Sequence, residues 1–310
     1  MQAALFFRRL DSVFSLVTVV GKDGLRFLSG LLTCDLRNLA AGHGAYGALL
    51  TVKGKVVTDL IVLCRGPHEQ WLLLPARLCQ KVLDLLDRYI VGDDVTLAHD
   101  LGPRVHLGIY GAVPDTLLPT PPGPYRHVDH ADLTVAATQE LGHPSIHVIG
   151  SLSAIEALQD RLTQAGASRL SQEQAQAWRI EAGRPQAGVD FDEDRFPQEA
   201  GLLDALAFQK GCFLGQEVVV RLRDRGKLHR KLVGLRLSGP AFPAAGAALL
   251  DDAGKKVGEL TSVARSARFS AIALGYVEMA HAQPGQTLTV NAETDPGAQS
   301  TATVSALPFQ

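Results

Sequence analysis

The 310-residue chain is poor in cysteine: it has Cys34, Cys64, Cys79 and Cys212, and no two of them form a C-x-x-C. That scarcity argues against a disulfide framework and against a four-cysteine zinc or iron–sulfur site within one chain. Charge of one sign is also lacking. The formal net charge is −2, so nothing global draws the chain to nucleic acid or anionic lipid. Long apolar runs are missing too, since a membrane helix needs roughly 18 unbroken apolar residues. The apolar stretch from Val13 to Val20 is interrupted by Ser15 and Thr18 and reads as a strand rather than a signal peptide. The expectation is a cytoplasmic protein with no membrane contact and no direct DNA binding. No fixed-period repeat or low-complexity segment is visible.

What is present describes a globular protein, with 46% apolar and 20% charged residues. The length exceeds what one core usually fills, so two or three domains are expected. After the first strand, Asp23 can cap a helix carrying Leu25, Leu28, Leu31 and Leu32 at helical spacing. The segment GHGAYG, residues 42 to 47, matches G-x-G-x-x-G letter for letter. A dinucleotide fingerprint needs a strand before the glycines and a helix after them. Here a helix precedes, and two strands follow about a two-residue turn at Lys53-Gly54. A Rossmann site is therefore rejected.

WLLLP (71 to 75) reads as a third strand, and Leu78, Val82, Leu85, Leu86 and Tyr89 lie on one face of a helix. VGDDVTLAHD resumes strand-like alternation, and TPPGPYRH (120 to 127) is a loop. The order of elements is that of an α+β fold with antiparallel sheets. SIHVIG is a strand, followed by capping boxes at Ser153/Glu156 and Ser171/Gln174, the second opening a helix that stops at Gly183. From about Lys231 the texture becomes that of a compact β-barrel or sandwich: KLVGLRLSG, AALLDDAGKKVGELTSVA, FSAIALGYVE and QTLTVNAE.

The residues that invite chemistry are few. His127-x-x-His130 and His143-x-x-x-His147 suggest a metal, but no carboxylate completes either set, and no metal site is expected. In KGCFLGQE (210 to 217), Gly211 and Gly215 let the backbone turn or approach a ligand, and Lys210 supplies positive charge near Cys212. Gly215-Gln216-Glu217 can start a helix, whose N-terminus favours an anion. Both features lower a thiol pKa, so a functional thiolate is weighed against an incidental cysteine. The other three cysteines fall in apolar patterns that bury them. The run RLRDRGKLHRK places Arg221, Arg223, Arg225, Lys227, His229 and Lys231 at every second position. On a strand that is a basic stripe for an anionic partner; the alternative is a solvated face.

KGCFLGQE closely resembles the K-G-C-[YF]-x-G-Q-E signature of the YgfZ-type folate-binding proteins, relatives of the glycine-cleavage T-protein (aminomethyltransferase). FLSGLLTCDLRNLAAGHGAYGALLTVKGKVVTDLIV, WRIEAGRPQAGVDF, FPQEAGL and LVGLRLSG through ALGYVEMAHAQPGQTL extend the likeness over nearly the whole chain. The resemblance implies a multi-lobed α+β fold of antiparallel sheets and helices around a central folate cavity, with a small C-terminal β-barrel. Drawn on this sequence, the lobes are 1–50 with 145–228, then 51–144, and a barrel at 229–310. It implies tetrahydrofolate as cofactor and a role in assembly or repair of iron–sulfur client enzymes, including those that thiolate tRNA. Functional roles fall on Cys212, Lys210 and Asp59, and ligand contacts on Arg179, Glu181, Gly211, Gln216, Glu217 and Arg221. Arg179 suits a folate carboxylate, which a guanidinium holds bidentately; the alternative is an Arg–Glu pair at a helix end. One departure is informative. The aspartate pair of the aminomethyltransferases reads Thr58-Asp59 here, and their strand glutamate has no counterpart in GHPSIHVIG. Both differences favour the YgfZ branch over a folate-dependent one-carbon transferase.

Overall fold

The computed structural model describes residues 4–99, 102, 104–240, 242–291 and 300–310, with the Arg225 side chain outside that description. The chain divides into two compact units, Met1–Leu170 with Asp204–Gln216, and Ser171–Leu203 with Glu217–Gln310.

Among the described residues, the first unit holds eleven strands and three α-helices. In chain order these are β1 (Phe6–Arg9), β2 (Phe14–Val20), α1 (Gly24–Leu31), β3 (Gly44–Leu50), β4 (Val56–Gly66) and β5 (Glu69–Pro75). There follow α2 (Cys79–Asp87), β6 (Thr96–His99), β7 (Arg104–Tyr110), β8 (His127–His130), β9 (Leu133–Thr138), β10 (Ser145–Ser151), α3 (Leu152–Gln164) and β11 (Ser168–Arg169). One sheet runs β3-β4-β5-β2-β6 and a second runs β11-β1-β7-β10-β9-β8. All pairings are antiparallel except β1 with β11. Leu28 and Leu31 of α1 and Val82 and Leu86 of α2 pack on one face of the first sheet, against Val17, Val62 and Leu72. Ile155, Leu158 and Leu162 of α3 cover one face of the second, against Leu107, Val135 and Val148. The remaining faces meet each other through Leu16, Ile61, Leu63, Leu73, Ala136 and Ile149. The unit is thus a helix–sheet–sheet–helix stack. Strands covered on both sides need apolar residues at successive positions, which explains the near-unbroken runs in VVTDLIVLC and WLLL.

The second unit holds α4 (Gln172–Glu181), most of α5 (Gln216–Arg225), and β12 (Arg230–Ser238), β13 (Ala248–Leu250), β14 (Lys256–Ser266), β15 (Ser270–Glu278), β16 (Thr287–Asn291) and β17 (Ser300–Ser305). These strands close into an antiparallel barrel in the order β12-β15-β14-β13-β16-β17. Closure leaves no unpaired edge. Val233, Leu235, Leu260, Val277 and Val304 fill its interior, while Ala177 and Ile180 of α4 pack on its outer face with Ile272 and Tyr276.

Most local expectations are met, and four are corrected. Asp23 precedes α1, but its carboxylate accepts the Asp94 N–H at 2.9 Å instead of capping its own helix. The cap of α3 is Ser151, which has extended backbone and accepts the Ala154 N–H, so Ser153 already lies inside the helix. Lys53-Gly54 is the middle of a longer turn closed by Thr51 and Lys55, and β3 begins at Gly44, inside GHGAYG. The sequence-drawn boundary at residues 50/51 lies at the end of β3, whose strand pairs with β4 in one sheet, while residues 51–144 supply strands to both sheets. Long-range strand pairing sets those limits. The expected strands ending at Asp100 and at residues 292–293 extend outside the described residues. The Ser171/Gln174 capping box is present, and α4 stops before Gly183 (φ 67°), with the Gly183 and Arg184 N–H groups returning to the Ile180 and Arg179 carbonyls.

Candidate functional site

Cys212 is exposed, whereas Cys34, Cys64 and Cys79 are buried. Burial pushes the Cys34 thiol up to about 12 and raises those of Cys64 and Cys79. All three are therefore poor thiolates at neutral pH. The segment carrying Cys212 is pinned against the C-terminal end of α1. Lys210 Nζ donates to the carbonyls of Ser29, Leu32 and Cys34 at 2.8, 2.6 and 2.7 Å, and the Leu214 N–H donates to Gly30 O at 3.1 Å. An ammonium has three N–H donors, and all three are engaged. A cation at a helix C-terminus also answers the partial negative charge there. Lys210 is buried at 6% exposure, with its ammonium 5.4 Å from the Phe213 ring. Lys210 thus anchors the loop through all three of its donors. Gly215 (φ 77°) closes the loop against the β3–β4 turn, where a Cβ would stand 2.5 Å from Thr51 O. Gly211 has open space at its Cβ position, and half-buried Gln216 begins α5.

Asp59 and Thr58 point to opposite faces of β4, as successive strand residues must. Thr58 is fully buried, opposite Leu49 of the helix-covered core. Asp59 is half-buried on the inter-sheet side, where it accepts the Tyr46 hydroxyl at 2.8 Å. The Tyr46 ring stacks on Tyr125 with centroids 5.8 Å apart and planes 14° from parallel. Tyr125 holds a left-handed φ of 58°, costing a non-glycine residue roughly 1–2 kcal/mol. Its N–H is fixed to Ala137 O at 2.9 Å. The sequence reading missed both tyrosines. Tyr46 is legible in hindsight from the two-residue period that puts it on the same face as Ala48, opposite Asp59, whereas Tyr125 sits in a Pro-rich loop that carries no such signal.

The remaining expected ligand residues fall in the second unit, and their side chains are otherwise engaged. Arg179 is buried, and its five N–H groups bond Gln176 Oε1 through Nε and Nη2, Arg184 O and Asp190 Oδ2 through Nη1, and Ser262 Oγ through Nη2. Asp190 also accepts from Thr261, Ser262 and the Gln186 N–H. Arg179 is thus a structural ion pair in the interior of its own unit, with no donor left for a folate carboxylate. Glu181 is buried and accepts the Ser266 hydroxyl at 2.6 Å. Arg221 and Glu217 form an exposed i,i+4 pair at 2.7 Å on α5, and Arg223 pairs with its neighbour Asp224 at 2.6 Å. Of the two readings of the basic run, the strand stripe fails over residues 221–225, because residues 216–225 are helical, which spreads every-second-residue charges around the axis.

Among the described residues no group of three or more histidines, cysteines or carboxylates converges to hold a metal. His147 instead lies 3.1 Å from Glu140, and His127 is buried, which with the charge of Arg65 brings its pKa down to about 4. No helix among the described residues is long and apolar enough to cross a membrane.

Comparison with known proteins agrees with this architecture. Residues 11–118 match the GCVT N-terminal domain, and residues 230–310 match the glycine cleavage T-protein C-terminal barrel domain. The chain is 32% identical over 254 residues to the tRNA-modifying protein YgfZ of Sodalis glossinidius, covering 79% of this chain and 75% of that one. It is 31% identical over 271 residues to an aminomethyltransferase of Rubrobacter xylanophilus, covering 83% and 72%. The crystal structure of glycine cleavage system aminomethyltransferase T from Bartonella henselae superposes with a TM-score of 0.86, at 23% identity, over 100% of this chain and 86% of that one. A T-protein-like α+β fold with a closed six-stranded C-terminal barrel, together with these identities, shows that the chain belongs to the glycine-cleavage T-protein family of aminomethyltransferase-like proteins.

Proposed function

We propose that this protein binds a reduced folate and presents Cys212 to iron–sulfur client enzymes, in the manner of the YgfZ branch. The observation that carries the reading is the mounting of Cys212: it is the exposed thiol of four, on a loop held by four hydrogen bonds to carbonyls at and just beyond the end of α1. A rigidly placed, accessible thiol suits contact with a cluster, a persulfide or a client cysteine. The name of the Sodalis relative, a tRNA-modifying protein, supports that assignment.

The chemistry of the donor set fits the pterin end of a folate. Asp59 is a half-buried carboxylate able to accept the paired N–H donors of an aminopyrimidinone edge, and the Tyr46–Tyr125 pair offers aromatic surface beside it. The carboxylate tail does not find its partner in Arg179, whose donors are engaged. When bound, a reduced folate supplies a carrier for one-carbon groups; the chain's own residues hold and orient it. A second reading, folate-dependent one-carbon transfer, is favoured by the position of Asp59: the retained member of the Thr58-Asp59 pair is the one facing the inter-sheet side.

Calorimetric titration with tetrahydrofolate tests the binding. Asp59→Asn exchanges the charged acceptor for a mixed donor and acceptor, and affinity should fall roughly ten- to hundred-fold. Cys212→Ser should leave binding intact and abolish rescue of iron–sulfur enzyme activity in a deletion strain. Robust turnover with a lipoylated carrier protein in a glycine-cleavage assay would install the second reading instead.

A further inference from the structure

A cluster of titratable groups lies inside the first unit, and nothing in the proposed function uses it. His106 and Tyr110 project from β7, His147 from β10 and Arg8 from β1, all toward the inter-sheet side. The register explains their meeting, because Gly108 stands between Arg8 and His147. A Cβ at Gly108 would lie 2.5 Å from Tyr110 Oη, so the glycine is what lets the tyrosine fold back over the strand. The Glu140 carboxylate gathers the group: Oε1 accepts from Arg8, and Oε2 accepts the Tyr110 hydroxyl at 2.7 Å and His147 Nε2–H at 3.1 Å. The His106 and His147 rings meet edge to face with centroids 4.6 Å apart, and Phe14 of β2 touches both, at 5.8 and 5.1 Å.

We propose that His106, packed edge to face on His147, is an acid-sensitive lock on the packing of the two sheets, closed while its own ring is neutral and released when that ring takes up a proton. Three observations support it. First, both histidines are buried, at 7% and 0% exposure. Second, His106 Nε2 and His147 Nδ1 have no hydrogen-bond partner among the described residues, so an N–H placed there has no acceptor. Third, the carboxylates facing the pair are committed. Glu140 already serves three donors, and Asp11 accepts the His106 backbone N–H at 2.7 Å and Arg9 at 2.7 Å. Arg8, bonded to the same Glu140 carboxylate, also faces the cluster, and its charge repels an added proton.

The titration agrees in sign. Burial, then the neighbouring His147, holds the His106 pKa well below its ordinary value. The unfolded chain therefore binds that proton first, and stability is lost as pH falls below about 6.5. Glu140 does not produce this loss. Burial raises its pKa, but His147, Arg8 and Tyr110 outweigh that and hold it at about 2, so it stays ionised throughout this range. The inter-sheet side also carries Tyr46, Tyr125 and Asp59, although the lock stands whether or not a ligand binds there.

Amide hydrogen exchange of β7 and β10 in the intact protein, corrected for intrinsic rates, tests the lock between pH 8 and 5. Protection should be level above about pH 7, then fall by up to tenfold per pH unit for each proton taken up. His106→Phe keeps a ring against Phe14 and should remove about one proton's worth of that dependence. Protection independent of pH, or a pH dependence retained in full by His106→Phe, would overturn the proposal. If that variant does not fold, the imidazole NMR titration of the wild type decides. A native His106 titrating at the ordinary 6.5 would equally end the argument.

Discussion

Arg179→Ala separates a structural arginine from a ligand-binding one. The guanidinium and its partner Asp190 have side-chain exposures of 8% and 0%, so the charges meet in the interior and not in solvent. Truncation leaves Asp190 with donors from Thr261, Ser262 and the Gln186 N–H but no countercharge. Breaking a buried pair by removing one partner costs about 3–5 kcal/mol, because the other charge stays buried and uncompensated. The second unit should therefore lose on the order of 10 °C or more in its unfolding midpoint. Removing both charges in Arg179→Ala/Asp190→Ala relieves that isolation, so the double variant should be less destabilised than the sum of its singles by roughly 1–3 kcal/mol. Differential scanning calorimetry of the four proteins completes the cycle. Tetrahydrofolate affinity, measured well below the midpoint, should change by less than about threefold. An unchanged midpoint with a tenfold or greater loss of affinity would refute this reasoning and return Arg179 to a ligand.

The loop that carries Cys212 allows sharper contrasts. Gly215→Ala meets both a left-handed φ and Thr51 O at 2.5 Å, and should destabilise by about 2 kcal/mol or more, while Gly211→Ala, facing open space, should stay within about 0.5 kcal/mol. Urea titrations of the two variants check this, and equal effects would count against the packing described. Lys210→Met strands three carbonyls at the end of α1 and should cost about 3 kcal/mol or more, with Cys212 still alkylated faster than Cys34, Cys64 or Cys79 below the shifted transition. Site-resolved mass spectrometry gives the order of modification. Faster labelling of a buried cysteine in the native wild type would contradict the burial seen here.

The sequence by itself determined a good deal. Apolar runs with a two-residue period, helical spacing of leucines and the Ser171/Gln174 box are local signals, because propensity and capping act over a few residues. They set most of the elements and the α+β class. The contrast between Cys212 and the other cysteines was equally local, since three lie in apolar patterns and one between glycines. Tertiary structure decided what those residues touch. Lys210 reads as a neighbour of Cys212, yet its ammonium reaches 176–181 residues back along the chain to the end of α1. Arg179 reads as a ligand, yet Ser262, 83 residues away, and Asp190 take its donors. Arg221 to Lys231 read as a stripe only if extended, and the helix over 216–225 removed it over residues 221–225. The meeting of His106, His147 and Glu140, and of Tyr46 with Tyr125, depends on strand register and on two sheets facing each other. A buried polar group must find a partner wherever the fold puts one, and that partner is fixed by pairing across the chain, which no local spacing records.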